Sequence, residues 1–113
     1  MSTINYVELP VQSTATTKAF FSAAFGWAFT DFGPTYAATM SGETDLGLQG
    51  DRADWTAAPL AVIEVDDLEA TEAAVKEAGG TISQPIFAFP GGRRFHFRDP
   101  NGNELAAMQP AED

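Results

Sequence analysis

The sequence predicts an α+β fold of two βαβββ modules whose curved mixed sheets enclose a shared cavity. Three observations carry this expectation. At a shift of 54 residues the chain repeats weakly, pairing Val11 with Val65, Thr17 with Thr71, Ala19 with Ala73, Ala24 with Ala78 and Gly26 with Gly80. Each copy opens on an apolar strand, meets a polar helix cap and stops its helix at glycine. After each helix, three further segments take the period of two that marks strands.

In order, the first strand covers residues 4–11 and its repeat covers 60–65. Ser13 and Asp67 are the helix caps, since short oxygen-bearing side chains accept from the first orphan N–H groups. The helices share a stripe, Thr14, Thr17, Phe21 and Ala24 in one and Leu68, Thr71, Val75 and Ala78 in the other, spaced for one buried face each. Strand segments follow at 27–32, 35–40 and 44–49, separated by Gly33-Pro34 and Ser41-Gly42. The second half offers 81–89, 93–98 and 103–108, broken by Pro90-Gly91-Gly92 and a turn at 99–102. In that turn Asp99 bonds its own backbone, Pro100 presets φ and Asn101-Gly102 tolerates positive φ. The modules thus run from about residue 1 to 50 and about 59 to 109 of a single 1–113 domain, joined by a polar linker at 51–58. A ferredoxin-like βαββαβ arrangement has too few strands for the three segments after each helix. With a helix on one face of each sheet, the other faces are left to curve around a cavity.

Composition narrows the function classes. Sixteen acidic against six basic side chains give a formal charge of −10, which opposes nucleic acid and anionic lipid and favours a cationic ligand. Apolar runs fall far short of a membrane span, and the N-terminus carries no signal-like segment, so a cytoplasmic location is expected. With no cysteine there is no thiol nucleophile or thiolate metal site. Pro90-Gly91-Gly92-Arg93-Arg94 precedes a strand, so it reads as a hairpin turn and not as a phosphate loop at a helix N-terminus. A single histidine and the lack of a nucleophile elbow exclude a Ser-His-Asp reading.

The alternating aromatics at 94–98, followed by Asp99-Pro100-Asn101-Gly102-Asn103 and a short apolar strand, resemble the C-terminal signature of the vicinal oxygen chelate superfamily. That superfamily includes glyoxalase I, extradiol dioxygenases, fosfomycin-resistance enzymes and bleomycin-binding proteins. The resemblance extends over nearly the whole chain, because the two-module architecture is the superfamily's own. It implies a metal ligand, usually histidine, five residues before Val11, where this chain has Tyr6. The counterpart in the second module is Leu60, with Val62 and Glu64 on its face. A last-strand carboxylate is implied at or beside Ala106, and the first module's end offers Leu48 or Gln49. None of these is a good ligand for a divalent ion, which needs converging imidazoles or carboxylates. No metal and no other cofactor is therefore expected, and glyoxalase I and dioxygenase activities are disfavoured.

Strand parity then selects the site residues. Tyr6, Glu8, Glu64, Glu104 and Met108 are placed toward the cavity, with His96, Arg94 and Arg98 less firmly oriented. Glu8 and Glu64 interrupt apolar strands, so each is either a cation-binding or proton-abstracting carboxylate or a solvated one paired with an arginine. His96 is a proton shuttle or a structural histidine. Tyr36 belongs to a set of aromatics that are core or a wall for a planar ligand, and Trp55, on the linker, closes over the cavity or sits at a dimer seam. The reading is a metal-independent binding protein of the bleomycin-resistance type, sequestering a cationic or planar small molecule and forming a homodimer. The alternative is a glyoxalase-related lyase or isomerase with Glu8 as general base, aided by His96 or by a non-standard metal site built from Glu8, Glu64, Glu104 and His96. A third possibility is a regulatory module whose cavity is filled by its own side chains.

Overall fold

Alternation of polar and apolar side chains in the first eight-residue strand, TINYVELP, carries through the computed structural model, which describes residues 2–112. The elements are β1 (Thr3–Pro10), α1 (Thr14–Phe25), β2 (Thr30–Asp31), β3 (Tyr36–Ala38), β4 (Asp45–Gln49), β5 (Leu60–Glu64), α2 (Leu68–Glu77), β6 (Thr81–Phe89), β7 (Gly92–Arg98) and β8 (Glu104–Pro110). A short 3₁₀ turn at Arg52–Asp54 precedes β5. This is two successive βαβββ modules. The chain divides into two compact units, Tyr6–Leu60 and a second comprising the residues after Leu60 together with the chain's first few.

In the first unit the strand order is β2-β3-β4-β1, and β1 runs parallel to β4 while the other pairs are antiparallel. The second unit repeats the plan as β6-β7-β8-β5, with β5 parallel to β8. Ser13 caps α1 by accepting from Thr16 N–H, and Gly26 ends it at φ 74°. Asp67 caps α2 through Ala70 N–H, and Gly79, one residue before the expected stop, takes the left-handed φ of 103°.

From α2, Leu68 joins a buried cluster with Val65, Phe95 and Ala107, and Ile63, Val75, Ile82, Ile86 and Phe97 pack against it. Pairing places these residues on the face of β5, β8 and β7 opposite Val62, Ala106 and His96. Pro85 is accommodated because β6 ends the order of its unit and bulges on either side of Gln84. The Asp99 turn forms as its chemistry dictates: Oδ1 accepts from Asn101 N–H at 2.8 Å and Asn103 N–H at 3.0 Å, and Gly102 sits at φ 90°.

Two expectations need correction. The segment at 27–32 is strand only at Thr30–Asp31, and 35–40 only at Tyr36–Ala38. The Trp27 carbonyl is taken by Ser22 Oγ at 2.7 Å, and the indole stacks on Phe21 and Phe25, so the start of this stretch folds back on α1 and only Thr30–Asp31 join the ladder. Nor is the α1 stripe a buried face: Thr14, Thr17 and Phe21 are half-buried, and Ala24 is exposed. Among the described residues no helix is long and apolar enough to cross a membrane.

Candidate functional site

In the first unit, alternation along β1 puts Tyr6 and Glu8 on one face, and the parallel register sets Glu8 beside Gly47 of β4. From the other side, β3 sets Ala38 beside Gly47 and Tyr36 beside Gln49. A Cβ at position 47 would overlap the hydroxyls of both Tyr6 and Tyr36, so a bare strand position is what admits the two phenols. Their hydroxyls bond each other, and Tyr36 donates to Glu8 Oε1 at 2.9 Å. A phenol has one proton to give; since Tyr36 gives its own to Glu8, Tyr6 is the donor in the tyrosine pair. The result is a directed chain, Tyr6 to Tyr36 to Glu8, ending on a carboxylate only 4% exposed.

Burial above all, then the charge of Glu8 and the Tyr6 hydroxyl, hold the Tyr36 hydroxyl far above the usual tyrosine range. The raised value keeps the Tyr36 proton on the phenol, where it is donated to Glu8. The hydrogen-bond acceptor at the end of the chain is Glu8. Trp55 is bonded elsewhere, its indole N–H fixed on the Gln49 carbonyl at 2.8 Å with the Arg52 guanidinium 4.9 Å from its ring centre.

In the second unit, pairing groups Val62 and Glu64 of β5, Glu104, Ala106 and Met108 of β8, and Arg94, His96 and Arg98 of β7 on the face away from α2. His96 is 2% exposed, and its Nδ1 lies 3.1 Å from Glu104 Oε2, so the Nδ1–H tautomer donates to that carboxylate. Glu104 also accepts from Ser83 Oγ and stands 4.0 Å from Arg98. Arg94 reaches over the rings of Phe87 and Phe89 at 5.3 and 5.4 Å. Glu64 accepts from the Asn5 side-chain amide at 3.1 Å and pairs in register with Met108.

The structure thus joins three of the sequence candidates in one unit (Tyr6, Glu8, Tyr36) and two in the other (His96, Glu104). Gly47 is not among the sequence candidates, although a glycine inside a strand is itself a sign of close approach. The residues present do not fit the divalent ion that the resemblance implies. Leu48, Leu60 and Ala106 are fully buried carbon side chains, and the Tyr6 hydroxyl is committed to Tyr36. Among the described residues no three His, Asp or Glu side chains gather as a metal site.

Residues 3–107 match the Glyoxalase/Bleomycin resistance protein/Dioxygenase superfamily. No curated protein matches the sequence. Among solved structures the chain is similar to NAD-dependent benzaldehyde dehydrogenase from Legionella pneumophila, with 18% identity over 95% of this chain and 99% of that one and a TM-score of 0.78. Methylmalonyl-CoA epimerase from Mycobacterium tuberculosis is similar at 13% identity, covering 96% and 87% of the two chains, with a TM-score of 0.78. Hypothetical protein BH1468 from Bacillus halodurans C-125 aligns at 14% identity over 99% and 96%, again with a TM-score of 0.78. At these identities the likeness is one of fold.

Proposed function

Because the chain belongs to the Glyoxalase/Bleomycin resistance protein/Dioxygenase superfamily, we propose that it is a metal-independent small-molecule binding protein that takes a cationic or planar ligand at Glu8, Tyr36 and Tyr6. The observation that carries this is the hydrogen-bonded chain seated on Gly47 and ending on a buried carboxylate. A ligand cation brought to the Glu8 carboxylate would gain charge pairing together with the aromatic faces of the two tyrosines. The net charge of −10 draws cations toward the molecule and repels anions. Neither nucleic acid nor membrane is proposed as a partner, no cofactor is proposed, and the proposed assembly is a homodimer.

Calorimetric titration with benzyltrimethylammonium and with a planar phenanthridinium tests the reading. Saturable binding is expected, weakened about tenfold or more by Glu8→Gln, equivalent to about 1.4 kcal/mol. Wild-type protein that binds neither probe, or a Glu8→Gln protein that binds them equally well, would overturn it.

A second reading is favoured by the donor on Glu8. A carboxylate oriented by a phenol that keeps its proton above the usual tyrosine range is also how a general base is held, with His96 and Glu104 as a further proton-handling pair. An isomerase of this kind would take a carbon-bound proton onto Glu8 and return it to the same carbon. One of the similar folds is a methylmalonyl-CoA epimerase. Incubation with methylmalonyl-CoA in D₂O, read by mass gain at the α-carbon, decides it: exchange lost in Glu8→Gln supports the enzyme, and no exchange in the wild type removes it.

A further inference from the structure

The first unit holds a pocket of 330 Å³, formed by the β3–β4 loop and the segment that follows α1. It shares no lining residue with the Tyr6–Tyr36–Glu8 chain. Val7 and Leu46 are its apolar side chains from β1 and β4, Trp27 brings an indole, and Ser41, Thr44 and Asp45 bring polar groups. No lysine or arginine lines it, so nothing there would neutralise an anion.

Two of these residues are held as a binding site holds its contacts. Trp27 stacks on Phe21 at 5.5 Å with the rings 8° from parallel and on Phe25 at 5.2 Å, and its carbonyl is bonded by Ser22. Its indole is nevertheless 43% exposed. A rigid aromatic left open to solvent supplies contact area without the entropy cost of ordering a mobile side chain. Asp45 is fixed through one oxygen only: Oδ1 accepts from the Thr39 hydroxyl at 2.8 Å and from Gly42 N–H at 3.0 Å. Thr39, 9% exposed, is itself locked by accepting from Leu46 N–H. Among the described residues Asp45 Oδ2 accepts no hydrogen bond. The carboxylate is thus oriented by one oxygen and presents the other.

We propose that this pocket is a second binding site, for a small planar organic cation whose charge pairs with Asp45 and whose ring lies against Trp27. The ligand class follows from the pocket alone and stands whether or not Glu8 binds anything.

The two tryptophans give separate indole N–H signals in a ¹H–¹⁵N correlation spectrum of the full chain, assigned with a Trp55→Phe variant. Titrated with benzamidinium, the Trp27 signal shifts saturably and the Trp55 signal stays in place. Neutral benzamide and anionic benzoate bind about tenfold or more weakly. Asp45→Asn keeps an oxygen for Thr39 and Gly42 and removes the charge, so benzamidinium affinity falls by a similar factor. Glu8→Gln leaves the Trp27 response intact, which separates this site from the phenol chain. A Trp27 signal that does not move overturns the proposal, as does a response to benzamide equal to that for benzamidinium. A response abolished by Glu8→Gln and retained in Asp45→Asn also overturns it. So does a Trp27 signal that moves on dilution of the protein alone, because a second copy would then be what covers the pocket. Should Asp45→Asn fail to fold, the comparison of charged and neutral probes on the wild-type chain still decides.

Discussion

In the second unit α2 buries its own Leu68 against Phe95, Val65 and Ala107, whereas α1 in the first unit buries no residue fully. The first unit instead leaves Phe20 60% and Phe25 59% exposed and encloses a carboxylate and two phenols. The order of elements and the parallel joining of first and last strands are the same in both units. What differs is which side chains occupy equivalent places. Topology sets where a side chain points, and composition decides whether that place is used for packing or for hydrogen bonding. The second unit sets Phe95 and Phe97 in its core, while the first bonds Tyr6 and Tyr36 into a chain ending on Glu8 and stacks Phe21, Phe25 and Trp27 on one another.

The largest expected effect tests that contrast at its base. Phe95, fully buried, should lose about 3–5 kcal/mol of stability on truncation to alanine, through lost burial and the cavity left behind. Phe20→Ala, on the exposed surface of α1, should stay within about 0.5 kcal/mol. Urea denaturation of the two variants makes the comparison. If Phe20→Ala costs as much as Phe95→Ala, the aromatics of α1 are a covered core in solution and the contrast between the units fails.

Next comes Gly47. Alanine there forces the hydroxyls of Tyr6 and Tyr36 away, an overpacking cost of about 1–3 kcal/mol. It also breaks the chain to Glu8. With two tyrosines in the sequence, near-ultraviolet titration reads this directly. In the wild type Tyr36 stays protonated through the range near pH 10 where an ordinary phenol ionises. Its native-state affinity for the proton is raised, so its contribution is fully present below about pH 10 and declines as pH rises beyond it. Gly47→Ala should return Tyr36 toward ordinary titration and flatten that alkaline loss. A variant with an unchanged tyrosine titration would mean that the phenols do not depend on the bare strand position.

Much of the frame could be read from the chain. Ser13, Asp67, Gly26 and the Asp99 turn act through local backbone chemistry, and local chemistry is what a sequence displays. The alternating aromatics from Trp27 suit a ladder, but only Thr30–Asp31 form strand; at 27–29 tertiary stacking on Phe21 and the Ser22 bond override that pattern. Of the candidate site, the face of Tyr6 and Glu8 followed from parity, but their partner did not. Tyr36 is 28 residues beyond Glu8, brought to it by the β1–β4 and β3–β4 registers, which no local pattern specifies. His96 posed the same difficulty on a smaller scale. Glu104 reaches it diagonally across the β7–β8 pair, where Arg98 is the residue directly opposite.

The smallest effect concerns the two aspartates that organise hairpins. In the first unit Asp45 ties the β3–β4 loop by accepting from Thr39 and Gly42, both within that loop or beside it. In the second unit Asp99 accepts from Asn101 and Asn103, and the Asn103 side-chain amide adds a bond at 3.0 Å. The Asn103 bonds chiefly, with help from Asn101, hold the Asp99 carboxyl below the usual range. Because the native value is depressed, the contribution of Asp99 is present above about pH 3.9, the unfolded reference, and is lost as pH falls through the native value. The group is exposed, so water screens the effect and it should register as a small acid-side decline in Tm. Carboxyl ¹³C titration should find Asp99 below the ordinary aspartate value, and Asn103→Ala should move it upward by removing the amide donor and leaving the backbone ones. If Asp99 titrates as an ordinary aspartate in both proteins, the turn is held by Pro100 and the positive φ of Gly102 alone, and the two hairpins share a residue type but not a mechanism.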